Sequence, residues 1–90
     1  MLENRVKIIN PLGLHARAAA QLVRLAGSYR SKIKIRRADN EVVADAKSIL
    51  SVLTLAAAKG IELNIEVEGD DEQEAMLAVE RLFVNGFGEI

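Results

Sequence analysis

The 90-residue chain contains no cysteine, which excludes disulfide staples and thiolate metal sites and suits a reducing compartment. It contains no tryptophan, and its aromatics are Tyr29, Phe83 and Phe87 alone. The core must therefore come from Ile, Leu, Val and Ala, a set suited to helices packed closely on a sheet. Neither sign of charge dominates: 12 Lys plus Arg against 13 Asp plus Glu leave a net charge of -1. Nucleic-acid binding normally brings a basic surplus, so no nucleic-acid partner is expected. The longest run without a charge, Ser48 to Ala58, falls well short of the roughly 20 residues of a membrane span, so no membrane partner is expected. The opening stretch MLENRVKIIN carries an acid and no long apolar run, unlike a secretory leader. The expectation is a cytoplasmic chain forming one domain over residues 1–90, small enough for stability to be modest.

What is present is periodic. Val6 and Ile8 alternate with Arg5 and Lys7, which predicts a half-buried first strand ended by NPLG. Ala19, Leu22, Val23 and Ala26 then recur at helical spacing, with Gly27 as a stop. KIKIRR and EVVAD flank the turn ADN, so residues 32–45 read as a hairpin. KSILSVLTLAAAKG predicts a second helix starting near Ser48 and ending by Gly60, with Val52, Leu55 and Ala56 toward the sheet. IELNIEVEG is the cleanest strand, with Ile61, Leu63, Ile65 and Val67 on one face and glutamates on the other. Asp70 with Gln73 suggests a capping box for a third helix whose stripe is Ala75, Ala78, Val79, Leu82 and Phe83. NGFGEI reads as a loose tail.

The order is βαββαβα, and each element has one apolar side. That predicts an α+β open-faced sandwich, a four-stranded antiparallel sheet with three helices on one face. The acidic outer face of the last strand suits a place between the basic faces of the first two.

The only histidine, His15, sits in NPLGLHARAAAQLV, where a helix begins. The first N–H groups of a helix lack intrahelical acceptors and carry the positive end of its dipole, which makes an anion site from the backbone of Ala16, Arg17 and Ala18. Arg17 adds a permanent cation able to bond phosphate oxygens. Pro11 and Gly13 supply a turn that can hold the imidazole exposed. A neutral imidazole nitrogen is a competent nucleophile, so these residues fit phosphoryl handling. The same position also suits a plain cap or a solvated loop histidine. One histidine with no cysteine and no carboxylate cluster beside it does not make a metal site, and no nucleophile elbow supports a hydrolytic triad.

GLHAR, together with KSILSVLTLAAAKG and the βαββαβα order, resembles the HPr family, the histidine-containing phosphocarriers of the phosphoenolpyruvate-dependent phosphotransferase system. The resemblance covers nearly the whole chain. It implies a phosphoryl carrier rather than an enzyme, without cofactor or metal, phosphorylated on Nδ1 of His15. It implies enzyme I as donor, enzyme IIA-type domains as acceptors, a strand order of 1-4-2-3 and a monomer. Many members have proline where this chain has Ala18 and a small polar residue where it has Leu12. LGLHARAA is similar to members of both the carbohydrate and the nitrogen-regulatory branches, so a regulatory binding module is the alternative reading.

Ser48 reads from its position as an N-cap. The resemblance implies that it is also a regulatory site for HPr kinase/phosphorylase. The second helix has more apolar residues than one buried face can use, leaving Ile49, Leu50 and Leu53 at least partly outside. By resemblance, Arg17, Ala20, Arg24, Ile49, Leu50 and Leu53 form the face that docks partners.

Overall fold

The computed structural model describes residues 1–89. Its elements are β1 (Leu2–Lys7), α1 (Ala16–Gly27), β2 (Lys32–Arg37), β3 (Val43–Asp45), α2 (Ile49–Leu53), β4 (Glu62–Glu68) and α3 (Glu72–Val84), followed by a 3-10 turn over Gly86–Gly88. The strands form one antiparallel sheet in the order β1-β4-β2-β3, with the helices on one face.

Alternation dictates the sheet. Leu63, Ile65 and Val67 of β4 and Ile33 and Ile35 of β2 are buried, each at 1% exposure or less. Such branched side chains contribute roughly 1.5–3 kcal/mol each when fully buried. Helix α1 covers them with Ala18, Ala19, Leu22 and Ala26, and α3 with Ala75, Met76, Val79 and Phe83. The outer face carries the charges. Lys7 faces Glu62, Lys34 faces Glu66, and Lys32 faces Glu68. Two arginines, Arg5 and Arg36, face Asn64 instead, and Glu3 faces Glu66. Arg36 resolves the like-charge pair by reaching Glu66 at 2.8 Å, while Arg5 Nε donates to Asn64 at 3.0 Å.

Helix α2 is shorter than its composition suggests. After Leu53 the chain tightens into i to i+3 bonds, Leu55 N–H to Val52 and Ala56 N–H to Leu53, and Ala56 turns to a φ of 47°. The guanidinium of Arg37 donates to the carbonyls of Leu55 and Ala56 at 2.8 and 3.3 Å, and so satisfies groups that the interrupted helix leaves free. Val52 and Leu55 are buried as expected, but Ala56 is exposed, because the positive φ points it away from the sheet.

The N-cap of α3 is Asp71, not Asp70, and Glu72 rather than Gln73 reaches back to the Gly69 N–H at 3.2 Å. Asp71 is drawn across the molecule instead of capping its own helix. Its carboxylate accepts from the Ser31 hydroxyl at 2.6 Å and from the N–H groups of Ser31 and Arg30 at 3.0 and 2.9 Å. Gly69 lies so close to this knot that a Cβ would stand 2.6 Å from Ser31 Cα. Over residues 85–89 the tail is not loose, the last residue of NGFGEI lying outside the described residues: Phe87 is buried and meets Phe83 edge to face, centroids 5.0 Å apart.

The bonds from Ser31 and from the Arg30 N–H hold the Asp71 carboxyl down at about 2. A depressed carboxyl stabilises the fold above its unfolded value of about 3.9 and loses that contribution as the pH falls through its folded value. Asp71→Asn should therefore lower the melting temperature at neutral pH. Its gap from wild type should narrow between about pH 4 and pH 2, as thermal melts across that window would read.

Candidate phosphoryl site at the mouth of the first helix

The site starts with a glycine. Gly13 has a φ of 66°, and a Cβ there would sit 2.5 Å from the carbonyl oxygen of Ala57 and 2.9 Å from Ala58 Cα. Only glycine allows the loop before α1 to lie this close to the segment after α2. Leu14 N–H then bonds the Ala57 carbonyl at 2.9 Å, and Leu14 itself is buried. The loop is anchored on both sides of its bend before the helix begins.

Asn10 holds the other end. It is fully buried, and its Nδ2 donates to the Gly13 carbonyl at 2.8 Å and to Glu89 Oε1 at 3.1 Å. Its Oδ1 is buried with no partner among the described residues. Rotating the amide would set that oxygen against two acceptors, so the orphaned oxygen is the lesser cost, about 1–3 kcal/mol.

His15 is the N-cap of α1, in extended conformation at φ -72° and ψ 177°. Its carbonyl accepts the Ala19 N–H at 2.8 Å, while its side chain makes no capping bond. A histidine acting only as a cap would turn its ring onto the N–H groups. Here Ala16, Arg17 and Ala18 are the first three helical residues, whose N–H groups have no intrahelical acceptor. Arg17 is exposed and forms no ion pair among the described residues. It lines an open cleft with Pro11, Leu12, Gln21, Phe87 and Glu89.

Reading the sequence missed Asn10 and Glu89. The Nε2 of His15 is bonded to the Glu89 carboxylate. The hydrogen bonds from His15 and then Asn10 hold the Glu89 carboxyl below its ordinary range against partial burial. The backbone brings it there: Gly86, Phe87 and Gly88 all have positive φ, and Gln21 Nε2 reaches the Phe87 carbonyl at 3.4 Å. Phe87 was the available signal, because one of only three aromatics in a chain seeks the core, even between two glycines.

The other candidate residues fall on α1 and α2, which pack against each other. Ala20 is partly buried, and Arg24 is exposed in the last turn of α1. Ile49, Leu50 and Leu53 are exposed, Leu50 at 77%. Leu12 on the site loop is exposed too. Ser48 is the N-cap of α2, accepting the Ser51 N–H at 3.3 Å. Among the described residues no group of His, Asp and Glu side chains could hold a metal ion, and no helix is long and apolar enough to cross a membrane.

An antiparallel open-faced sandwich with a histidine at a helix mouth, beside an arginine without an ion pair among the described residues and the N–H groups of a first helical turn, is the layout of a small phosphoryl-handling protein. Residues 2–85 match the family described as "PTS HPr component phosphorylation site". The phosphocarrier protein HPr of Cupriavidus necator is 51% identical over 89 residues, covering 99% of this chain and 98% of its own. The crystal structure of HPr from Thermoanaerobacter tengcongensis superposes with a TM-score of 0.93 at 39% identity, covering 100% and 99% of the two chains. A second structure from that organism, described as an HPr dimer, gives a TM-score of 0.77 at 37% identity and covers 99% and 100%. The chain belongs to the HPr family of phosphotransferase-system phosphocarriers, which carry a phosphoryl group rather than catalyse a net reaction.

Gly13→Ala should combine the cost of a left-handed non-glycine residue, about 1–3 kcal/mol, with a backbone collision. We expect a loss of at least about 2 kcal/mol in chemical denaturation. Wild-type stability would mean that the loop moves freely against residues 57 and 58.

Proposed function

We propose that Nδ1 of His15 accepts a phosphoryl group from phospho-enzyme I and passes it to an enzyme IIA-type domain, in the cytoplasm. The observation that carries this reading is the side chain of His15, which stands at the N-terminus of α1 without capping it. The attack is in line, through a loose transition state with charge on the three equatorial oxygens. Arg17 and the N–H groups of Ala16, Arg17 and Ala18 stabilise that charge. A carrier must also release its load. One arginine in an open cleft can hold a phosphoryl group without trapping it.

The exposed Ile49, Leu50 and Leu53, with Arg17, Ala20 and Arg24, form the proposed docking face. Apolar residues clustered beside a reactive group suit a transient partner surface. Phosphorylation of Ser48 by HPr kinase/phosphorylase would set about two negative charges on that face, and the exposed end of α2 can accept them without unfolding. The proposed working form is a monomer, whose docking face is free for each partner in turn; sedimentation reads that directly.

His15→Ala should abolish acid-labile labelling by phosphoenolpyruvate and enzyme I and leave the melting temperature nearly unchanged. Label persisting in that variant would move the site elsewhere. Arg17→Ala should slow transfer by roughly 10- to 100-fold without abolishing it, since the backbone donors remain; rapid-quench rates equal to wild type would remove Arg17 from the mechanism. Ser48→Asp and Leu53→Glu should each weaken enzyme I binding at least about tenfold through charge and desolvation, with circular dichroism native. NMR shifts on titration confined to α3 and the tail would place docking on another surface.

A further inference from the structure

We propose that Glu89 is a positioning residue that holds the His15 ring as its Nε2–H tautomer, so that Nδ1 is the nitrogen offered to the phosphoryl donor. This rests on the reading that His15 is the accepting residue.

The hydrogen-bond directions decide the tautomer. Asn10 Nδ2 can only donate, and it donates to Glu89 Oε1. The other carboxylate oxygen meets His15 Nε2. An ionised carboxylate accepts only, so the ring nitrogen facing it must carry the hydrogen. The depressed Glu89 carboxyl agrees with an ionised acceptor between two donors. In the neutral ring Nδ1 is then the unprotonated nitrogen, and the ring's hydrogen bond among the described residues is made through Nε2. Asn10 is buried and tied to the Gly13 carbonyl, so the carboxylate is held from a fixed point rather than from solvent. The packing of Phe87 on Phe83 fixes the turn that presents it.

The transfer step balances without moving a proton. The lone pair of Nδ1 forms a bond to phosphorus. The bond between phosphorus and the donor's nitrogen breaks, and its electron pair returns to the donor ring. Hydrogen stays on Nε2 throughout, bonded to Glu89. Once phosphorylated, the His15 ring is a cationic N–H donor, and the carboxylate balances its charge from the side opposite the phosphoryl group. In the onward transfer the same hydrogen stays in place, so the leaving group is a neutral imidazole.

The two substitutions at Glu89 separate this role from plain packing. In Glu89→Ala the ring loses its acceptor and relaxes toward a mixture of tautomers. In Glu89→Gln the Asn10 donor claims the amide oxygen, so the amide NH2 faces the ring. Nε2 must then accept, and the hydrogen moves to Nδ1. The nearly isosteric change should therefore be the more damaging one. With His15 ring nitrogens labelled, 15N NMR of the neutral ring should show Nε2–H in wild type, a mixture in Glu89→Ala and a shift to Nδ1–H in Glu89→Gln. Acceptance from phospho-enzyme I, timed by rapid quench, should fall by about tenfold in Glu89→Ala, the equivalent of 1.4 kcal/mol, and further in Glu89→Gln. Native melting of both variants would show that the fold is intact. The proposal is overturned if the tautomer is the same in all three proteins, or if Glu89→Gln transfers as fast as wild type. Labelling that survives in His15→Ala would instead overturn the assignment of the accepting residue, and the NMR result on the tautomer would stand apart from it.

Discussion

Leu63, Ile65 and Val67 project from one face of β4, and Ile33 and Ile35 project beside them from β2. Leaving these five side chains in water would forfeit, at roughly 1.5–3 kcal/mol each, about as much as the whole net stability of a small domain. They must be covered, and the chain has few aromatic residues to do it with. Helix α1 helps to cover them with Ala18, Ala19, Leu22 and Ala26, and α3 with Ala75, Met76, Val79 and Phe83. Because Ala18 and Ala19, in the first turn of α1, are part of that core, the N–H groups at the start of the helix are held in place by it. The position of the candidate site is thus a consequence of core packing.

The loop that feeds α1 is held by backbone rather than by side-chain bulk. Gly13 lies against Ala57 and Ala58, and Leu14 bonds the Ala57 carbonyl. The partner segment is itself fixed, because Arg37 ties the carbonyls of Leu55 and Ala56 to the end of β2. From β2 through Arg37 to the loop and then to His15, each link is a hydrogen bond or a contact too tight for another residue. A reactive side chain mounted this way need not be buried to be well placed.

Charges of both signs meet around His15. Arg17 and the helix N-terminus supply positive character, and a carboxylate, Glu89, sits on the Nε2 nitrogen and lines the same cleft as Arg17. Asn10 accepts an unpartnered buried oxygen so that both its N–H groups can serve this arrangement. A carrier benefits from such a balance, because a site that only attracted phosphate would keep it.

Period-two and helical patterns in the amino-acid sequence determined the βαββαβα order, the inward faces of β2 and β4, and a helix start at His15, since alternation and capping are local properties. Ser48 as an N-cap and the exposure of Ile49, Leu50 and Leu53 were legible for the same reason. Three features were not. KSILSVLTLAAAKG is helical by propensity throughout, yet the helix stops at Leu53, because Arg37, distant in sequence, satisfies the carbonyls that the break exposes. Asp71 abandons its own helix for Ser31, some forty residues away in the chain. Glu89, in a tail rich in glycine, reaches His15 only because Phe87 finds a place on Phe83. Local pattern decides which residues can form an element. Which distant donors and acceptors meet is settled only when the chain closes on itself, because a buried polar group takes its partner wherever packing supplies one.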